Sequence, residues 1–479
     1  MPPTLPSGPL EHLDVGGGRS APFYVVPFDK HGLCTGPQTR QNLIEAAASG
    51  DFSDLFLFSH GWNNDWPTAT KRYRDFFARF REAREGAGDL PAEYKPLVVG
   101  IFWPSTALVF GEEKGPQFAG GPLAAGAEGD DEAVGAELAA IGEIAEELDP
   151  GDRERFYDLA SRAELDGDQT QELAELMLPL YRDADDPDEE VLELDAGELA
   201  KLWSQLPDQD GATDEPGDDP GAFGMPVFGD AAGEGAGDGP AAAGLLSKLD
   251  PRKAVRMFTV WKMKDRAGTV GAKGVGPLLR DLLAAGEPHG LRSHLVGHSY
   301  GAKVVLSSIC FGSRIADDAV TSLLLLQPAV NFWCFAEDVD GEGFPGGYQP
   351  ALDVVKLPIL TTLSKHDVAL RRTFHLAVNR KKKDLGEVLI AGPLKPNRYG
   401  GLGGWGPQGC PPPLSKEIPM PKAGQPYPDL LASGSPQILA LNGKETVSGH
   451  GDVTTPHTAW ALLQLVRAGL RGEAPGAGG

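Results

Sequence analysis

The residues Gly297-His298-Ser299-Tyr300-Gly301 set one serine between two glycines. The apolar pair Leu295-Val296 leads into them, and the helix-favouring run Ala302-Lys303-Val304-Val305-Leu306 follows. A strand-turn-helix of this kind holds the serine at strained backbone angles and projects its hydroxyl from the carboxyl end of a sheet. Glycines on either side let strand and helix close up. A free serine hydroxyl is a weak nucleophile. The chemistry therefore also needs a base to take its proton, an acid to orient that base, and donors for a developing oxyanion. With 63 glycines in the chain, a chance match to such a spacing is common, so the weight rests on its setting. His60-Gly61-Trp62 closes another apolar run, Leu55-Phe56-Leu57-Phe58, and on residue types alone is a strand-end turn.

The elements that must position these residues are legible as an alternation. Strands are expected at 23–28, 55–58, 96–103, 293–296, 322–327, 358–363 and 437–441, and helices at 38–48, 66–85, 252–264, 275–285 and 302–311. Asn63-Asn64-Asp65 can cap the second helix, and Thr455-Pro456 reads as N-cap and first residue of a closing helix to about residue 470. Buried strands alternating with amphipathic helices imply a mostly parallel sheet covered on both faces, an α/β class. The core is expected over 22–111 and 251–470, with disordered ends at 1–21 and 471–479.

Between those halves the composition changes. The net charge of −25 sits almost wholly in residues 111–250, which hold 38 Asp and Glu against 7 Lys and Arg, leaving the rest slightly basic. Such a segment repels phosphate backbones and anionic membranes, so nucleic acid is not an expected partner. We read 112–250 as an acidic insertion, weakly helical to about 206 and Gly/Asp/Pro-rich and disordered after it. Its aspartate clusters at 166–168 and 183–188 lack the glycine and glutamate spacing of a calcium loop. Cys34, Cys310, Cys334 and Cys410 are far apart and suggest neither disulfide nor zinc. The first 18 residues resemble no signal peptide and no later apolar stretch is long enough to span a bilayer, so a cytoplasmic protein is expected. A basic run, Arg380-Lys381-Lys382-Lys383, could dock on the insertion, and residues 392–434 read as a surface excursion.

At these residues the chain resembles the α/β-hydrolase superfamily, in which an HG-type oxyanion strand precedes the nucleophile elbow, and an acid and a histidine follow it in that order. The resemblance covers about 22–110 and 253–470, and the acidic insertion has no counterpart in it. It implies Ser299 as nucleophile, with Gly297, His298 and Gly301 supporting the elbow and His60 and Gly61 supporting the oxyanion turn. The backbone N–H groups of Trp62 and Tyr300 become the oxyanion donors. Asp367, closing Leu363-Ser364-Lys365-His366-Asp367, sits where the family places the acid, while Glu337, Asp338 and Asp340 compete from the preceding strand's end. Of ten histidines, the family's order leaves His450 and His457; His450, in the loop before the closing helix, is preferred.

The expected function is hydrolysis of a carboxylic ester through an acyl-enzyme on Ser299, with no metal or organic cofactor implied. Phe332, Trp333, Phe335, Phe344 and Tyr348 would suit an apolar acyl or alcohol group, or else pack a core. The rival expectation is a non-catalytic relative whose acidic insertion binds a protein partner.

Overall fold

The structure, a computed structural model, describes residues 7–88, 90–105, 141–142, 144–182, 194–205, 248–374 and 400–472. Period-two side-chain placement builds its centre. In β3 (Asp54–Ser59), Leu55 and Leu57 face one core while Phe56 and Phe58 face the other. The same division holds for Leu323 and Leu325 against Leu324 and Leu326 in β6 (Ser322–Leu326). Strands buried on both faces have no polar side, which is why they read as continuous apolar runs. With β1 (Glu11–Asp14), β2 (Ser20–Pro27), β4 (Pro96–Phe102), β5 (Arg292–His298), β7 (Ile359–Leu363), β8 (Ser415–Pro419) and β9 (Ile438–Asn442) they form one nine-stranded sheet. Its order is β1-β2-β4-β3-β5-β6-β7-β9-β8, and only β1 runs antiparallel to its neighbour.

Helices cover both faces. One layer holds α1 (Pro37–Ala48), α6 (Pro251–Thr269), α7 (Gly276–Gly286) and α8 (Tyr300–Cys310); the other holds α2 (Trp66–Ala87) and α9 (Pro456–Gly472). After β3 the chain returns to β4 on one side, then crosses to β5 on the other. The carboxyl ends of β3 and β5 therefore lie side by side at a switch in winding direction, where open α/β sheets form their crevices. At the opposite edge, Asp54 accepts from Arg292 Nε at 2.9 Å and from His294 Nε2 at 3.1 Å, and His294 Nδ1 meets Ser322 Oγ at 2.8 Å. Burial raises the Asp54 pKa, but the hydrogen bonds from His294 and Arg292 outweigh it and hold the carboxyl at about 2.

Several expectations change. Order begins before residue 23, because β1 pairs with β2 through Glu11 to Asp14, a strand too short and too polar to show alternation. The helices expected at 252–264 and 275–285 are joined by a π-helical turn, Val270–Val275. Residues 400–434 are more than an excursion. They supply β8, and the turn Leu402–Trp405 packs against the end of β7.

The insertion contains α3 (Arg153–Ala160), α4 (Gly167–Arg182) and α5 (Ala196–Gln205). Leu159, Leu173, Met177, Tyr181 and Trp203 are buried in the same core cluster as Phe258 and Trp261 of α6. Asp166 is part of a reciprocal cap, accepting from Gln169 N at 2.9 Å while its own N–H donates to Gln169 Oε1 at 3.1 Å. The cluster at 183–188, the stretch 207–240 and the basic run at 380–383 lie outside the described residues. Among the described residues no helix is long and apolar enough to cross a membrane.

Candidate active site

β5 ends in His298, α8 begins at Tyr300, and Ser299 is the whole turn between them. Its φ of 55° and ψ of −126° lie where a residue with a side chain is strained, so surrounding contacts must hold it. They do so from both sides. Ser299 N donates to Leu326 O at 3.1 Å, and Ser299 O accepts from Ala302 N at 3.0 Å and Ala329 N at 3.1 Å. A Cβ at Gly297 would lie 2.6 Å from Ala302 Cα, and one at Gly301 2.2 Å from Ser59 O. Both glycines are therefore needed for close approach, Gly301 because α8 rests on the end of β3.

The carboxyl ends of β7 and β9 bring the remaining groups. His450, in the loop between β9 and α9, places Nε2 2.8 Å from Ser299 Oγ and Nδ1 2.8 Å from Asp367 Oδ2. Asp367, four residues past β7, uses both oxygens. Oδ1 accepts from Leu370 N at 2.9 Å, capping the turn that follows, and Oδ2 accepts from His450 and from Gln327 Nε2 at 3.0 Å. Gln327 directly follows β6 with φ 41°, and its amide orientation is set locally. Its own N–H donates to Thr362 Oγ1 at 2.8 Å, and that hydroxyl donates to Gln327 Oε1 at 2.8 Å, which turns the amide nitrogen toward Asp367. A neutral imidazole so held presents an unprotonated Nε2 to the serine hydroxyl, the arrangement a general base requires.

The turn after β3 abuts the serine, since a Cβ on Gly61 would meet Ser299 Cβ at 2.7 Å. Burial, with the Arg72 charge adding to it against the hydrogen bond to Gly61, drops the His60 pKa to about 3, so the ring is neutral. Trp103 N approaches Nε2 at 3.4 Å, and Nδ1 donates to Gly61 O at 2.8 Å. Asn64 Nδ2 donates to the same carbonyl at 3.2 Å and to Trp62 O at 2.7 Å. The Gly61 carbonyl and the Trp62 N–H belong to one planar trans peptide and point in opposite directions. Clamping the carbonyl therefore fixes where the Trp62 N–H points. Tyr300 lies at the amino end of α8, where backbone N–H groups point out of the helix.

The other sequence candidates are not brought here. Glu337, Asp338 and Asp340 are exposed, and Asp338 Oδ1 accepts from Gly343 N at 2.7 Å within its own loop. His457 Nδ1 accepts from Ala423 N at 3.0 Å in the first turn of α9. Of the aromatic stretch, Phe332, Phe335 and Tyr348 are buried in the core cluster, Trp333 packs against it and Phe344 is exposed, so ordinary packing accounts for most of it. Three residues at the site escaped the sequence reading: Arg72, Asn64 and Gln327. A glutamine ending a β-strand and an arginine inside an amphipathic helix carry no local signal; Asn64 had one, but it reads as a cap. Compared with family models, curated proteins and solved structures, the chain matches none.

Proposed function

We propose that the chain is a serine hydrolase of α/β-hydrolase type that cleaves carboxylic esters through an acyl-enzyme on Ser299. The observation carrying this reading is a serine at positive φ on a strand-to-helix turn, with Oγ 2.8 Å from a histidine whose other nitrogen lies 2.8 Å from a buried aspartate. The sheet order, with the serine and the His60-Gly61 turn on adjacent strand ends, supports it further.

In this mechanism Ser299 Oγ bonds to the ester carbonyl carbon while its proton passes to His450 Nε2. Asp367 fixes the imidazole tautomer and stabilises the imidazolium. The carbonyl oxygen takes the negative charge opposite the Trp62 and Tyr300 N–H groups, each such donor contributing about 3 kcal/mol in comparable sites. Collapse breaks the bond to the alcohol, which leaves with the proton from His450. Water, deprotonated by the same nitrogen, then releases the acid and restores Ser299. Ser299 is 1% exposed and His450 5%, which keeps bulk water from competing for these bonds.

The test is fluorophosphonate labelling, with hydrolysis of short and long p-nitrophenyl esters alongside. Labelling of wild type and none of folded Ser299→Ala is the expected result. Folded wild type that neither labels nor turns over any ester rules the reading out.

A further inference from the structure

Two hydrogen bonds orient the His450 ring, but a histidine on a loop also needs its backbone held. The loop carrying His450 closes on itself where Ser448 N and Oγ both donate to Asp452 Oδ2 at 2.9 Å, and Ser364 Oγ ties it to the end of β7 through Val447 O at 2.8 Å. At the base itself a different partner enters. His298 Nε2 lies 3.1 Å from His450 O, and His298 Nδ1 lies 3.2 Å from Arg72 NH1.

We propose that Arg72 and His298 are a positioning pair for the base, holding the His450 backbone so that its ring meets Ser299 and Asp367 together. The proposal rests on the hydrolase reading above. A guanidinium can only donate, so His298 Nδ1 must accept and the proton must sit on Nε2, the tautomer the His450 carbonyl requires. Burial, reinforced by the Arg72 charge, pushes the His298 pKa well below its usual value. The ring therefore stays neutral and places no second charge against the imidazolium formed in the reaction. His298 is wholly buried and its ring centroid is 5.4 Å from that of His450, so water cannot easily replace the bond.

The geometry also accounts for the residue type between Gly297 and the nucleophile. At the last position of β5 a side chain turns away from α8 toward α2, and only a group with an acceptor on one side and a donor on the other bridges Arg72 to a backbone carbonyl. A leucine there would remove the His298 bond to the buried His450 carbonyl, and the loop would shift. A displacement of about 1 Å at a reacting group can cost about 100-fold in rate.

Wild type, Ser299→Ala, His298→Leu, His298→Gln and Arg72→Met would be compared by thermal unfolding, by the second-order rate of fluorophosphonate labelling, and by kcat and KM on a p-nitrophenyl ester. Folded His298→Leu should lose about 100-fold in kcat with little change in KM. His298→Gln, which keeps an amide donor for His450 O and an acceptor for Arg72, should recover most of that loss, and Arg72→Met should fall between. Wild-type kcat in folded His298→Leu overturns the proposal, as does a folded His298→Gln no better than the leucine variant. Should His298→Leu fail to fold, a folded Arg72→Met with wild-type kcat overturns it instead. Wild type that does not label defeats the hydrolase reading, and the positioning role falls with it; a labelled wild type beside an unimpaired His298→Leu defeats the positioning role alone.

Discussion

Replacing Gly61 with alanine adds one methyl group between Ser299 and the turn after β3. That methyl would sit 2.7 Å from Ser299 Cβ and 3.1 Å from His298 O. Carbon atoms in contact settle at about 3.5–4.0 Å, so the two segments must part by about 1 Å. Neither can do so cheaply. Ser299 is pinned at both N and O to the end of β6, and Gly61 O is held by His60 and Asn64. The Trp62 N–H follows its peptide, and a donor moved by about 1 Å from an ideal 2.7–3.1 Å no longer bonds the oxyanion. Losing one such donor costs about 100- to 1000-fold in kcat. The expected outcome is a folded Gly61→Ala protein with kcat down by about that factor on p-nitrophenyl esters and KM little changed. Labelling by a fluorophosphonate should slow in parallel, since its tetrahedral adduct uses the same donors. A folded variant with kcat within about threefold of wild type would refute the reasoning that Trp62 supplies a donor.

Asp367→Asn should lower kcat by about 1000- to 10,000-fold with the fold intact, because an amide nitrogen facing Nδ1 favours the wrong tautomer; Asp338→Asn and Asp340→Asn should leave it unchanged, and steady-state kinetics separates the three. Gln327→Leu removes a donor from the oxygen that His450 uses, and kcat should fall by about tenfold, the equivalent of one hydrogen bond to a charged group. Asn64→Ala should produce a kcat loss of similar size with KM retained, because it frees one side of the Gly61 carbonyl; a change confined to KM would sink the clamp argument. For stability, Asp54 is held at about 2 against an ordinary 3.8, which corresponds to about 2 kcal/mol. Because the folded pKa is the depressed one, that stabilisation is complete above about pH 4 and is lost as pH falls through about 2. Urea unfolding of wild type and Asp54→Asn should show a gap that closes over that window; a gap independent of pH from about 5 to 2 would contradict it.

What the sequence made legible is what local patterning encodes. β3 and β6 are apolar runs of strand length, β7 and β9 are mostly apolar, and β5 shows itself only through Leu295-Val296; the turns after four of these five strands carry the polar groups that the structure gathers at one edge. Ser299, Asp367 and His450 are separated by tens of residues, yet each follows a strand of the parallel sheet, and parallel strands put all their carboxyl ends together. The tertiary partners were not legible in the same way. Arg72 shares its helix with Phe76, Phe77 and Phe80, and nothing in the spacing says that its guanidinium turns toward β5. Gln327 becomes a partner of Asp367 only through the pairing of β6 with β7 and the hydroxyl of Thr362. The insertion shows the same limit from the other side. Its acidity reads as solvation, while the few large apolar residues that anchor it, Trp203 and Tyr181 among them, are too sparse to announce a core.

The molecule holds a second serine-histidine-aspartate chain, and the contrast shows why hydrogen-bond geometry alone does not make a nucleophile. Ser322, His294 and Asp54 are linked at 2.8 Å and 3.1 Å, distances close to those around Ser299. Both sets are buried, but they differ in backbone, ring use and charge. Ser322 begins a central strand in extended backbone, at the amino edge of the sheet. His294 is stacked on Phe56 and uses Nδ1 toward the serine, and Asp54 is already shared with Arg292, so its charge is neutralised rather than poised to receive an imidazolium. Ser299 instead occupies a strained turn at the amino end of α8, beside a clamped peptide, with a carboxylate held by Gln327 and Leu370 N, donors that bring no positive charge. Strain fixes the hydroxyl's direction, the helix end and the clamped peptide favour negative charge, and an aspartate held by the neutral donors Gln327 and Leu370 N can stabilise a proton on the base. These differences separate a structural polar cluster from the site proposed for acyl transfer, and they lie in the backbone around Ser299 as much as in the three side chains.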